Sequence, residues 1–529
     1  MGDRQNNYDV IVIGGGHNGL VNAAYLARAG KKVIVLEQRH LIGGASVTEE
    51  IYPGFNYTVM SYVVSLLRPE IIRDLDLPKH GLRILPLEST LTPLPNGDFL
   101  YRDSDHYRTF RDIARFSPRD AEAYEEYSQA MFFMAKAVKY LLGIIPPDPA
   151  TFQPRDLGGL LGLARHLLGL NERDRYMLAK LMTMSSADFV EQWFESEPLK
   201  ATLAASGIIG TYLGVRSPGT AYVLLHHYMG EIDGQFRAWG FAKGGTGGIA
   251  NAIGNAARAF GAEIHTSARV SQVIVNKGQA TGVTLEGGEE IDADVIVSSL
   301  DPKRTFLELV DKTFLPEDLV NGIRKFSVRG SSAKVNLALD GVPELACQPG
   351  FGRHLAGAIS ISPDLDYLEM AYDDAKYGDF SRRPYIDIII PSMIDPDMAP
   401  PGKHVMSCFV QYAPYQLREG TWDKKRDALG DIVIDTLAQY FPNIKDLILH
   451  RQVVTPLDTE HMIGLSQGNI FQGELSLSQL FFLRPAAGYA QYRTPIKGYY
   501  QCGSGTHPGG GITGAPGRLA ALEILRDEK

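Results

Sequence analysis

Apolar residues crowd Val10-Ile11-Val12-Ile13, and the run ends in Gly14-Gly15-Gly16-His17-Asn18-Gly19. A short continuous apolar run predicts a strand buried on both faces. From Leu20 to Ala27 the apolar spacing is helical, and Gly30 stops the helix. Lys32-Val33-Ile34-Val35-Leu36 predicts a second strand, closing at Glu37. Short strands with a turn at Pro95-Asn96-Gly97-Asp98 follow between Ile84 and Tyr101. From about Arg108 the pattern is helical, and Ser117-Pro118-Arg119-Asp120 reads as a helix start. Gly244 to Gly248 precedes a helix over Ile249–Phe260, stopped by Gly261. Strands are then predicted at Ala268–Val275, Ala280–Leu285 and Ile291–Ser299. Beyond Pro302 the chain is mixed, with strands at Tyr385–Ile390 and Val405–Gln411. At the far end Cys502 to Ala515 is a glycine-rich loop leading into a last helix.

These elements predict an α/β protein with a discontinuous Rossmann-like domain built from 1–107, 235–301 and 485–529. A helical insert covers 108–234, and an α+β substrate domain covers 302–484. The first glycine turn carries the chemistry. Gly14 permits the sharp turn, Gly16 lets backbone approach a pyrophosphate, and Gly19 permits close helix–strand packing. The helix start offers free N–H groups to phosphate. Glu37, at the end of the second strand, is placed to accept from a ribose hydroxyl and would repel a 2′-phosphate. Gly43-Gly44 lets the chain pass close to a cofactor. The bare alternative is a tight strand–helix turn with no ligand. A nucleotide site that needs both ends of the chain points to a flavin enzyme rather than a simple nicotinamide dehydrogenase.

Composition narrows the class. A chain of 529 residues allows roughly two to four domain-sized units. With 44% hydrophobic and 21% charged residues it reads as a folded globular protein. A net charge of −9 disfavours a nucleic-acid partner. Cys347, Cys408 and Cys502 form no CxxC pair, which excludes a redox dithiol and a cysteine-rich metal site. They also suggest a reducing compartment, read as cytoplasmic with an organellar matrix left open. Met1 to Asn7 is a short polar leader without an apolar core. No segment reaches the roughly 18 continuous apolar residues of a spanning helix. Gly158 to Leu168 mixes basic residues with leucines, which reads either as helical core or as a surface seated in a lipid interface. His226-His227 lacks a third ligand at useful spacing, so no metal is expected. Oligomerisation stays open.

The motifs quoted, with Gly468 to Leu475, Gln479 to Pro485 and Cys502 to Gly517, resemble the phytoene desaturase and carotenoid isomerase branch of the FAD-dependent amine oxidase-like superfamily. The resemblance spans nearly the whole chain and is vague only across the helical insert. It implies one FAD. Gly14, Gly16, His17, Asn18, Gly19, Glu37, Gln38, Arg39, Gly43, Gly44 and Ala45 would hold the adenosine and diphosphate half. Val270 would meet the adenine through its backbone. Gly503, Ser504, Gly511, Ile512 and Thr513 would approach the flavin. His507 is placed for acid–base work or flavin tuning, with loop packing as the plainer role. Glu474 and Glu460-His461 are polar groups in a stretch expected to face substrate. The activity implied is hydride transfer to or from flavin N5 with a hydrophobic unsaturated substrate, such as an isoprenoid, carotenoid-like or other polyene lipid. Tyr57, Tyr62, Phe189, Trp193, Phe194, Tyr212, Trp239, Phe241, Phe471, Phe481 and Phe482 are candidates for its tunnel, each also readable as core. Redox-neutral double-bond isomerisation, amine oxidation, and a regulatory protein that keeps FAD for stability remain the alternatives.

Overall fold

The computed structural model describes residues 8–528 apart from 233 and 237, so the expected leader at 1–7 lies outside the described residues. β1 (Tyr8–Ile13), α1 (His17–Arg28) and β2 (Val33–Leu36) form the predicted opening unit. β1 is central in a sheet whose parallel strands run Glu263–His265, β2, β1, Glu290–Ser298 and Tyr499–Gln501. The start of Glu290–Ser298 also pairs with an antiparallel hairpin, Val270–Asn276 and Gln279–Leu285. Parallel strands covered on both faces are apolar throughout rather than alternating. Val10 and Val12 pack toward α1 and the helices Gly247–Ala259 and Ala515–Asp527. Ile11 and Ile13 pack the other way, against the hairpin and the helix Glu317–Lys325.

A second seven-stranded sheet runs in the order Ile448–Val454, Ser332–Leu339, His404–Gln411, Tyr385–Ile389, Ala358–Ile361, Ser89–Pro93 and Phe99–Asp103. Its pairs are antiparallel except Ala358–Ile361 with Ser89–Pro93. One face is apolar: Val335, Leu337, Met406, Cys408, Ile386 and Ile388 bury against Leu429, Val433 and Leu437 of the helix Trp422–Ala438. The register puts Lys334, Phe409 and Asp387 in one row on the opposite face. Asn336 and Ser407 occupy the next row. That face looks toward Tyr62 and the helical cap.

The cap spans the helices from His106–Ala114 to Thr220–His227. Its longest helix, Pro118–Leu142, starts where the sequence predicts, with Ser117 Oγ accepting from the Asp120 amide at 3.1 Å. Two domain boundaries differ from expectation. Residues 89–103 lie in the second sheet rather than the cofactor domain, because Thr90 and Leu91 pair with Ala358 and Ile359. Residues 304–325 pack on the cofactor sheet instead of the substrate domain, because Phe306, Leu319, Val320 and Ile323 share its core with Ile11 and Ile296.

Candidate cofactor and active site

The turn after β1 leaves no room for side chains at two of its glycines. Gly14 has φ +93°, and a Cβ on Gly19 would stand 2.2 Å from the Gly14 carbonyl oxygen. Gly16 differs: a Cβ there would meet nothing within 4 Å, since its open side faces the cleft. Gly16 caps α1 without a side-chain hydrogen bond, and no acidic residue stands in the first turn. The helix start therefore presents free N–H groups and positive dipole to the cleft. Glu37 sits under the turn. Its carboxylate accepts from the Gly15 amide at 2.7 Å and the Arg39 amide at 2.8 Å. Burial pushes the Glu37 carboxyl above its ordinary value, while those two amides oppose the rise. Gly43 bridges to Gly16, and Gly44 adopts φ +60° beside it.

The cleft measures about 780 Å³, including open solvent at its mouth. Gly14, Gly16, His17, Asn18, Gly19, Glu37, Gln38, Gly43, Gly44, Ala45, Val270 and Ser504 line it, all expected from the sequence. Ser299, Leu300, Ile463, Leu465, Ile470 and Gln472 also line it and were not expected. The C-terminal loop is tied to α1. Asn18 Nδ2 donates to Ser504 Oγ at 3.0 Å, and Asn22 Nδ2 donates to the Gly517 carbonyl at 3.0 Å.

The remaining expected residues lie off the lining. Arg39 pairs with both oxygens of Glu49, at 2.9 and 3.0 Å. Gly503 backs onto the Ser299 and Leu300 carbonyls. Gly511 packs under Leu66, and Ile512 follows it at φ +56°. Thr513 lines a separate small depression with Leu66, Lys139 and Pro508.

His507 lies outside the cleft lining. Its Nε2 bonds the Leu141 carbonyl at 3.0 Å, its ring meets Phe481 edge-on, and burial pushes it down to about 3. A histidine so held is neutral and packs the loop. Glu474 is likewise engaged, receiving Arg329 Nε at 2.7 Å and Nη2 at 2.9 Å. Glu460 accepts from Tyr415 and from the Gln467 amide, so it braces a loop. Phe189, Phe194, Phe241 and Phe471 are buried in the cap cluster. Tyr57 instead joins a different core and bonds His450 at 3.1 Å.

Two groups carry weight that the sequence did not signal. Arg484 is fully buried, and its guanidinium donates to the carbonyls of Phe471, Gly473, Glu474, Gln479, Ser504 and Thr506. Burial pushes it down to about 10, so it stays protonated at neutral pH. It clamps the 471–479 segment to the glycine loop. Lys334 is the second, in the polar row of the second sheet. Its Nζ donates to Ser407 Oγ and lies 4.7 Å over the Tyr62 ring. Tyr62 Oη in turn donates to Asp387 at 2.5 Å.

Unpaired polar atoms test the fit of a dinucleotide. His17 Nε2 and Asn18 Oδ1, both on residues of the cleft lining, are buried with no hydrogen-bond partner. Buried polar groups are rarely left so. With the open side of Gly16 and the free helix amides, they suit a phosphate- and ribose-bearing ligand.

Comparison with known proteins agrees. The family model described as flavin containing amine oxidoreductase matches residues 19–525. The chain is 42% identical to pyridine nucleotide-disulfide oxidoreductase domain-containing protein 2 of Rattus norvegicus, over 99% of this chain and 94% of that protein. It is 28% identical to a limonene dehydrogenase subunit of Castellaniella defragrans, over 98% of this chain and 94% of that protein. An oxidoreductase from Methanosarcina mazei shares the fold at a TM-score of 0.62 and 19% identity, covering 98% of this chain and 100% of that one. The chain belongs to the flavin containing amine oxidoreductase family, and its cofactor is FAD.

Proposed function

We propose that this FAD-dependent oxidoreductase acts on a hydrophobic unsaturated substrate of the isoprenoid or polyene lipid kind. The observation that carries the reading is the cap. Its helices form one apolar cluster that includes Tyr127, Phe189 and Phe194, takes in Phe241 of the strand Gly240–Ala242, and reaches Phe409 of the second sheet and Phe471 of the loop clamped by Arg484. A substrate admitted beside such a cluster would be held by burial of its apolar surface. The relative named as a limonene dehydrogenase component supports the same substrate class.

Bound FAD supplies a two-electron centre that takes up or gives back a hydride. The chain's own residues do the rest. Gly16, His17 and Asn18 would hold the diphosphate half, while Arg484 fixes the loop on the far side of the cleft. The cap aligns the substrate and excludes water, and alignment supplies much of the rate in such reactions.

Anaerobic titration of the holoenzyme tests the proposal. An isoprenoid or polyene should bleach the flavin absorbance, or be formed when reduced flavin is reoxidised. Bleaching by amines alone would assign amine oxidation instead. An intact flavin that no substrate alters, in a protein that interconverts double-bond isomers, would assign the isomerase.

A lipid surface is the proposed source of such a substrate. The helices Pro154–Leu168 and Glu172–Thr183 leave Leu157, Leu161, Leu168 and Tyr176 exposed beside Arg165, Arg173 and Arg175. Apolar side chains flanked by cations suit the headgroup boundary of an anionic bilayer. Flotation with anionic vesicles should carry the wild type upward and leave a Leu161→Glu, Leu168→Glu variant behind. Equal behaviour of the two would remove this part of the proposal.

A further inference from the structure

Arg484 is a buried cation without an anion. Among the described residues it forms no ion pair, and its hydrogen bonds all run to main-chain carbonyls. Glu474 offers it only a carbonyl, at 3.3 Å, while the Glu474 carboxylate is bonded to Arg329. A buried charge held this way is costly unless something compensates it. The ionisable groups within its field are Tyr222, His226 and His507. None supplies a charge at neutral pH. Burial pushes Tyr222 up to about 12, and burial together with the Arg484 charge pushes both histidines down to about 3.

The cation stands directly behind the wall of the cofactor cleft. Ser504 lines the cleft, and its carbonyl accepts from Arg484 Nη2 at 2.8 Å. Gln472 lines it too, and the carbonyls of its neighbours Phe471 and Gly473 each accept from Nη2 at 3.1 Å. The diphosphate of bound FAD is served by the free amides at the start of α1. The charge left without a partner is the one the flavin ring acquires. A hydride brings two electrons and one proton, so a neutral ring that accepts it is left negative until a second proton arrives. The cleft lining offers no ready donor of that proton. Burial pushes His17 down to about 4, Glu37 spends both oxygens on the Gly15 and Arg39 amides, and Arg269 keeps its proton.

We propose that Arg484 sets the electron affinity of the bound flavin, its charge acting through the Ser504 and Gln472 wall to favour the reduced ring, held as an anion, over the oxidised ring. The proposal needs FAD and no particular substrate, so it stands or falls apart from the functional reading above. Arg484, Phe471, Gly473 and Ser504 are all buried, so little water screens the field. The bonds that clamp the loop also hold the guanidinium where that field reaches the cleft. A neutral side chain making the same bonds would clamp and not tune.

Reductive titration of the holoenzyme against a redox dye tests this without any substrate. The shift of the potential from that of free FAD gives the ratio of the affinities for reduced and oxidised FAD. Wild type should hold the reduced form at least about tenfold more tightly, the scale of one charge pair across a buried wall. At mildly acidic pH, where free FAD takes up two protons with its electron pair, the bound flavin should take up one. With FAD in excess, Arg484→Lys should keep most of the preference and Arg484→Gln should lose it, although both bind FAD more weakly. A merely structural clamp would weaken both redox forms equally and leave the ratio alone. Phe326→Glu decides if neither variant holds FAD. It leaves Arg484 in place and sets a carboxylate beside the guanidinium, which now lies 5.6 Å from the Phe326 ring. It too should lose the preference. Equal affinity of wild type for the two forms, uptake of two protons, or a preference that survives Arg484→Gln or Phe326→Glu would overturn the assignment. Equal weakening of both forms by Arg484→Gln would overturn it as well and make the diphosphate the partner of this cation.

Discussion

The two sheets are equally wide but use their residues in opposite ways. The cofactor sheet buries Val10, Ile11, Val12 and Ile13 on both faces and opens its cleft at its strand ends, where the bare glycine turn and the α1 start offer backbone amides. The second sheet instead gathers polar side chains on one face, with Lys334, Asp387 and Ser407 contributed by three different strands. Backbone recognition requires the absence of side chains. Side-chain recognition requires a register between distant segments.

The largest expected effect falls where the halves of the site are joined. Replacing Arg484 with Met strands six carbonyls and should cost about 3–5 kcal/mol of stability, with loss of FAD on desalting. Arg484→Lys should not rescue it, since an ammonium lacks the planar fork of donors. Denaturant titration and the flavin-to-protein absorbance ratio read both effects.

Gly16→Ala separates binding from folding. The new methyl meets no protein atom, so apoprotein stability should change by less than about 1 kcal/mol. It projects into the cleft, and FAD affinity should drop by about tenfold or more, roughly 1.4 kcal/mol. Unchanged affinity would break the claim that this turn binds through its bare backbone.

The polar row of the second sheet should show in the pH dependence of stability. Burial pushes the Lys334 amine down to about 7, with Cys408 and Asp387 as the nearest ionisable groups and Tyr62 under it. Between pH 7 and its free value, about 10, the unfolded chain holds more protons on this group than the folded one. Raising the pH through that window therefore stabilises the fold. Wild type should gain about 1–2 kcal/mol on Lys334→Met between pH 7 and 9 in denaturant titrations. Burial pushes Asp387 up to about 6, so its window lies lower, between about pH 4 and 6, and its contribution is lost as the pH rises through it.

The smallest effects belong to the residues that looked catalytic. Glu474→Gln should cost about 1–2 kcal/mol, because Arg329 is half exposed and water screens the pair, with turnover within about twofold of wild type. His507→Gln should leave the shape of the pH–rate profile unchanged between pH 5 and 8, since this ring stays neutral there. A lost limb in that profile would return His507 to the chemistry.

The same contrast explains what could be read in advance. Gly14, Gly16, Gly19 and Glu37 lie within 24 residues and obey local geometry, so their spacing alone announced the cofactor turn. The helix start at Ser117 and the strands at 385 and 405 were legible for the same local reason. Arg484 was visible only as a letter beside a proline. Its acceptors come from loops on both sides of it, and no periodicity encodes them. Lys334 carried no signal in the sequence, and only the pairing with Phe409 and Asp387 shows which way it faces. The strands at 89–103 were misplaced because hairpin pattern says nothing of which sheet a hairpin joins.

The bonds from Asn18 to Ser504 and from Asn22 to Gly517 set a timetable for biosynthesis. The two ends of the first bond are 486 residues apart. At ordinary translation rates the first waits roughly 25–100 s for the second to leave the ribosome. Throughout that interval the side of α1 that carries Val21 lacks the helix Ala515–Asp527 that packs on it. Nascent chains stalled before residue 502 should therefore emerge colourless and dependent on chaperones, as read by the flavin absorbance of the released chains.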